Sequence, residues 1–141
     1  MGAASPAVSV RPVRLFQPPM IAIVDDDQAI REALFDLLQV EGLVARMFEN
    51  GAAFLADAHC LEFGCIITDV RMPEMDGLEL QRRLRGSGSA IPVIFITSSV
   101  NEGTRERALS DGAVAWFTKP VADAELLFEL RAALKRRGTA R

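Results

Sequence analysis

Thr68-Asp69-Val70-Arg71-Met72-Pro73-Glu74-Met75-Asp76-Gly77 follows directly on the apolar run Phe63-Gly64-Cys65-Ile66-Ile67, and this junction decides the fold. The run is short, apolar and β-branched at its end, the pattern of a buried strand. Pro73, Asp76 and Gly77 force a turn, and Gly77-Leu78-Glu79-Leu80 opens a helical pattern. A strand, a loop and a helix make half of a βαβ unit. In open parallel sheets the chemistry lies beyond the carboxyl ends of the strands, and Asp69 stands there.

A lone acid after a strand is ordinarily a cap or a turn residue. Asp69 has company. Ile21-Ala22-Ile23-Val24 ends in Asp25-Asp26-Asp27. The run 91–96 ends in Thr97-Ser98-Ser99, and Ala113-Val114-Ala115-Trp116-Phe117 ends in Thr118-Lys119-Pro120. A parallel sheet brings an acid cluster, one further acid, a hydroxyl and a lysine to the same edge. Crowded carboxylates raise each other's pKa unless a cation sits among them. Oxygen ligands without His or Cys suit Mg²⁺, with Mn²⁺ as the alternative. Mg²⁺ usually works with a phosphate, and a lysine and a hydroxyl would hold the remaining phosphoryl oxygens. The set is suited to phosphoryl transfer onto a carboxylate.

With these motifs in order, the chain resembles the receiver domain of two-component response regulators, and among them the nitrogen-fixation regulator type. The likeness rests on VDDD at 24–27, TDVRMPEMDG at 68–77, FITSS at 95–99 and WFTKP at 116–120. Thr97 lies 28 positions after Asp69 and Lys119 lies 50 after it. The resemblance implies a phosphoacceptor, not a multiple-turnover enzyme. Asp69 would take a phosphoryl group from a sensor histidine kinase or a phosphotransfer protein. Asp25, Asp26, Asp69 and the backbone carbonyl of Arg71 would hold Mg²⁺. Lys119 and Thr97 would bind the phosphoryl group, and Thr97 and Trp116 would form the switch. Arg71 and Ser99 would tune dephosphorylation. Asp27 is expected to cap the first helix, and Lys119-Pro120 to be cis as in relatives. The family's output surface would be 101–111, Trp116 and the last helix, a face through which a homodimer could also form.

The expected fold is a flavodoxin-like, doubly wound α/β domain with five parallel strands and five helices; its strand order, 2-1-3-4-5, is carried over from the family. Residues 28–41 are the plainest helix, with Ile30, Ala33, Leu34, Leu37 and Leu38 at helical spacing and Gly42 as its stop. A weaker strand covers 43–48, and shorter helices 52–58 and 77–85. The helix over 101–111 has a narrow apolar face, Ala108 and Leu109 only, and a weakly held element is one that moves. Arg105 and Glu106 depart from the apolar character usual there. The last helix is expected after Asp123 as N-cap, burying Leu126, Leu127, Leu130 and Leu134.

The chain's 141 residues suit one domain. Four prolines make 1–19 a flexible extension, 20–135 form the domain, and 136–141 a basic tail. Residues 21–130 carry 19 acids against 9 Lys and Arg, which argues against nucleic-acid contact by the domain itself. No run approaches the ~18 apolar residues of a membrane span. Cys60 and Cys65 are expected as ordinary thiols of a reducing cytoplasm, and His59 as a surface residue. A metal-dependent phosphatase with an aspartyl intermediate would want an acid at position 71, which is Arg71. A flavin carrier would want a hydroxyl-rich phosphate loop. A pseudo-receiver working without phosphorylation is the alternative, although such proteins typically lose the acids or the lysine that this chain keeps. The extension favours a natural start, so the expectations are a stand-alone regulator or a receiver cut from a longer one.

Overall fold

A computed structural model of the chain describes residues 19–98 and 101–139, with side chains to 136. Residues 1–18 of the expected extension over 1–19, Ser99 and the last two residues of the tail lie outside that range. The strands are β1 Met20–Val24, β2 Val44–Phe48, β3 Cys65–Thr68, β4 Val93–Thr97 and β5 Ala115–Thr118. Between them run the helices α1 Gln28–Val40, α2 Gly51–Ala56, α3 Gly77–Gly86, α4 Glu102–Ser110 and α5 Asp123–Thr139. All pairings are parallel, in the order β2-β1-β3-β4-β5.

Strand side chains alternate between the two faces of the sheet. Ala22, Val24, Ile66, Val93 and Phe95 face α2, α3 and α4. Ile21, Ile23, Cys65, Ile67, Ile94, Ile96 and Ala115 face α1 and α5, where Leu38, Leu126, Leu130 and Ala133 meet them. Both faces of the central strands are covered, which is why these strands read as continuous apolar runs.

Local chemistry sets the ends. The Asp27 carboxylate accepts from the Ala29 and Ile30 amides at 2.9 and 3.2 Å and starts α1, as expected. Gly42, at φ 76°, supplies the left-handed stop. β4 begins two residues later than the apolar run because Pro92 has no N–H to pair; its carbonyl still accepts from Ile66 at 2.9 Å. A short 3₁₀ turn, Cys60–Glu62, was not foreseen. The last helix starts one residue earlier than expected: Asp123 lies in its first turn, and the Ala122 carbonyl accepts from Glu125 and Leu126. Of its four expected core leucines, Leu126 and Leu130 are buried and Leu127 and Leu134 half-buried. The helix also passes the expected domain boundary at 135 and reaches Thr139. Among the described residues, no helix is long and apolar enough to cross a membrane.

Candidate functional site

Adjacency in the sheet builds the site. β1 and β3 are neighbours with Val24 opposite Thr68, so Asp25 and Asp69 emerge side by side. The Asp69 amide donates to the Val24 carbonyl at 3.3 Å, and the Asp25 amide to Phe48 at 3.2 Å. Lys119 leaves β5, two strands from β3, a gap of about 10 Å at ordinary strand spacing. Its long side chain closes that gap. Lys119 Nζ lies 3.0 Å from Asp69 Oδ2 and 3.6 Å from Asp25 Oδ2.

The loop after Asp69 is drawn tight around it. Asp69 Oδ1 accepts from the Val70 amide at 2.6 Å and from Arg71 at 3.3 Å, while Thr68 Oγ1 donates to the Asp69 carbonyl. The Gly77 amide donates to Val70 at 2.8 Å, bringing the start of α3 against the strand end. A Cβ at Gly77 would collide with the Asp69 carbonyl oxygen, so the glycine in the motif is a requirement of close approach.

Asp25, Asp26 and Asp69 each offer a carboxylate oxygen, and these atoms lie within 4.8 Å of one another. Asp25 and Asp69 are buried whereas Asp26 is exposed. The donor set is all oxygen, anionic and open on one side, which fits a hard divalent cation that keeps some of its water. Burial pushes the Asp25 carboxyl up. The Asp27 amide and Lys119 oppose that, and the neighbouring Asp69 and Asp26 charges add to it. Burial alone would pull the Lys119 ammonium down. Its hydrogen bond to Asp69 and the charges of Asp25 and Asp69 outweigh that, and hold it above the ordinary lysine value. The two carboxylates thus keep the Lys119 ammonium charged in a place where burial alone would oppose it.

Thr97 is fully buried at the end of β4, and its carbonyl accepts from the Lys119 amide at 2.8 Å. The Lys119-Pro120 peptide is cis. Arg71 projects as an exposed side chain beside the acid. Trp116 is half-buried and packs on Phe95 of β4, ring centroids 5.6 Å apart and planes tilted 40°, on the face shared with α4. The thiols and the histidine lie outside this group. Burial drives Cys65 up to about 12, Cys60 is half-buried, and His59 is exposed beside Glu62. One participant was not foreseen. Arg31, one turn into α1, donates from Nη1 to the Asp25 carbonyl at 2.7 Å and so pins the main chain of the acid run. Its only sequence signal is a long cation soon after three acids.

Residues 21–131 match the family described as the response regulator receiver domain. The response regulator protein TmoT of Ectopseudomonas mendocina is 45% identical over 119 residues, covering 84% of this chain and 54% of TmoT. The transcriptional regulatory protein FixJ of Azorhizobium caulinodans is 39% identical over 82% of this chain and 55% of its own length. The chain thus spans about half the length of the curated relatives it matches. Among solved structures, the response regulator StyR superposes with a TM-score of 0.82 at 33% identity, over 89% of this chain and 63% of StyR. The structure named FixJ-N does so at 0.78 and 33%, over 85% and 96%. Sheet order, acid cluster and family match agree: this chain belongs to the receiver domains of two-component response regulators.

Proposed function

We propose that Asp69 is the phosphoacceptor of this receiver, taking its phosphoryl group from a phosphohistidine on a sensor kinase or a phosphotransfer protein in the cytoplasm. The observation that carries the reading is the convergence of Asp25, Asp26 and Asp69 within 4.8 Å, with Lys119 3.0 Å from Asp69. Asp25, Asp26, Asp69 and the Arg71 carbonyl would hold Mg²⁺ or Mn²⁺. A bound divalent cation supplies positive charge between the carboxylates and the phosphoryl oxygens.

The chain's own groups do the rest. The Val70 and Arg71 amides and Lys119 fix the Asp69 carboxylate in one orientation, so that one oxygen faces the incoming phosphorus. The O–P bond forms as the P–N bond breaks, and the imidazole leaves with the bonding pair. Lys119 then pairs with the phosphoryl oxygens in place of Asp69. The new group adds about −1.5 to −2 of charge and three acceptor oxygens. Thr97 donates its hydroxyl to one of them, and Trp116 turns into the space vacated. The face of α4, β5 and α5 carries the change outward, to a partner protein or a second copy of the domain. Arg71 and Ser99 set how readily water reaches the phosphoryl group. The acidic body, residues 20–135, makes no nucleic-acid contact of its own.

Intact-mass spectrometry after incubation with Mg²⁺ and a small phosphodonor tests this. One phosphoryl adduct is expected, absent in Asp69→Asn and absent without the metal. An adduct that persists in Asp69→Asn would move the acceptor elsewhere; none under any donor or cognate kinase would sink the reading.

A further inference from the structure

We propose that Gln81 and Arg85, one turn apart on α3, form a polar clamp that fixes the C-terminal end of α4 by its main chain and leaves its N-terminal end as the part that moves. The link to signalling rests on the phosphoacceptor reading above; the clamp does not.

Helix α4 has little else to hold it. Ala108 is its one buried residue, and Leu109 is 36% exposed. Gln81 is completely buried, and its Nε2 donates to the Ala108 carbonyl at 3.2 Å. A carbonyl only accepts, so the amide group must turn its nitrogen that way. Its Oε1 is then the one buried side-chain polar atom without a hydrogen-bond partner among the described residues. Leaving that oxygen unpaired costs free energy that leucine at position 81 would avoid. The cost is tolerated where the nitrogen performs a task.

Arg85 completes the hold. Nε donates to the Asp111 carbonyl at 3.0 Å and Nη2 to Gly112 at 3.3 Å, while Nη1 donates to Ser89 and Ile91 at 3.2 and 2.9 Å. The guanidinium thus bolts the end of α4 to the loop leading into β4. Gly112, at φ 98°, admits it: a Cβ there would lie 3.2 Å from Arg85 Nε. The atoms held are carbonyls, among them those that a helix C-terminus leaves without intrahelical donors. These bonds end on main-chain carbonyls and so make no demand on the side chains of α4.

Among the described residues, the other end has no such anchor. A cavity of about 550 Å³ runs along the helix, lined by Asn101, Thr104 and Arg107 and by Val70, Arg71 and Met72 of the loop that leaves Asp69. The first turn there is held by the Asn101 cap on the Thr104 amide at 3.0 Å. A helix pinned at one end, with space along its side, pivots about that end.

Hydrogen exchange read by mass spectrometry on the full chain tests this. In the wild type, amides 101–105 should exchange faster than 108–113. Gln81→Leu and, separately, Arg85→Met should speed exchange at 108–113 roughly three- to tenfold, the scale of one lost buried hydrogen bond, with β1 and β3 unchanged. No change at 108–113 in either variant overturns the clamp, as does an acceleration spread equally over the sheet. Adding Mg²⁺ and beryllium fluoride, an aspartyl phosphate mimic, should alter 101–105 alone in the wild type and both ends in the variants. A wild type that does not respond removes the phosphoacceptor reading, while the clamp stands or falls on the metal-free comparison.

Discussion

Helices α1 and α4 lie on opposite faces of one sheet and are held by different forces. Helix α1 sets Leu38 fully into the core, with Leu34, Phe35 and Leu37 packed around it. Its far end is tied to α5 by the Arg131–Glu41 ion pair at 2.8 Å. Helix α4 buries Ala108 and otherwise hangs by carbonyls from Gln81 and Arg85. Apolar attachment is non-directional and grows with area, so moving α1 would open core. Directional hydrogen bonds at one end of a helix permit rotation about that end. A charge change at Asp69 should therefore be expressed first through α4, with α1 as the fixed frame.

The largest effect that sharpens this contrast is in the core. Leu130→Ala on α5 should lower stability by about 2–5 kcal/mol in urea denaturation, by lost transfer energy and the cavity left behind. A loss below 1 kcal/mol would show that the α1–α5 face is not the rigid side.

Asp25→Asn comes next. The folded-state value of Asp25 lies above its unfolded one, so the native state takes up the proton first. Stability of the metal-free wild type should thus gain a component as pH falls from neutrality through the raised value, until the ordinary carboxylate value is passed. Asp25→Asn removes that component and should raise the metal-free melting temperature at neutral pH by on the order of a few degrees. The variant should also lose most of the stabilisation that Mg²⁺ gives the wild type. Lys119 has the opposite sense: its contribution is complete below the ordinary lysine value and is lost as pH rises through its raised one. A wild type and variant with equal melting temperatures across that range would remove the electrostatic account of the site.

Smaller again is the optical signal. Trp116 is the chain's one tryptophan, and it packs on Phe95 at the α4 face. Its emission should shift when beryllium fluoride and Mg²⁺ are added, and fail to shift in Asp69→Asn. The smallest effect is Leu109→Ala on α4, expected within roughly 0.5 kcal/mol of wild type because the side chain lies at the surface and belongs to neither core cluster. A cost above 1.5 kcal/mol there would break the comparison between the helices.

Much of the fold and the site was legible because the signals are local. Apolar runs of strand length mark the sheet, and Asp27 and Gly42 mark the ends of α1. Asp25, Asp69, Thr97 and Lys119 stand where four runs stop. Boundaries slipped where a single backbone group decided them. Pro92 could not donate, and the Ala122 carbonyl took the place at the start of α5 that Asp123 was expected to fill. What Trp116 packs on was not legible: its ring meets Phe95, on the other face of the sheet from α5.

The amino-acid sequence by itself determined the class of chemistry, since residue types at strand ends are set by order along the chain and parallel strands must bring those ends together. Only the tertiary structure decided what adjacent, similar residues do. Asp25 and Asp26 look alike in the chain, yet one is buried and the other exposed, because the Asp25 amide still bonds the Phe48 carbonyl at the sheet edge whereas Asp26 lies in the bend beyond it. Gln81 and Arg85 look like an ordinary polar helix surface. Their partners lie 26 and 27 positions away, and the target atoms are main-chain carbonyls that every residue carries. No side-chain pattern in α4 announces such a contact, so the attachment that governs its motion comes into being only when α3 and α4 are packed side by side.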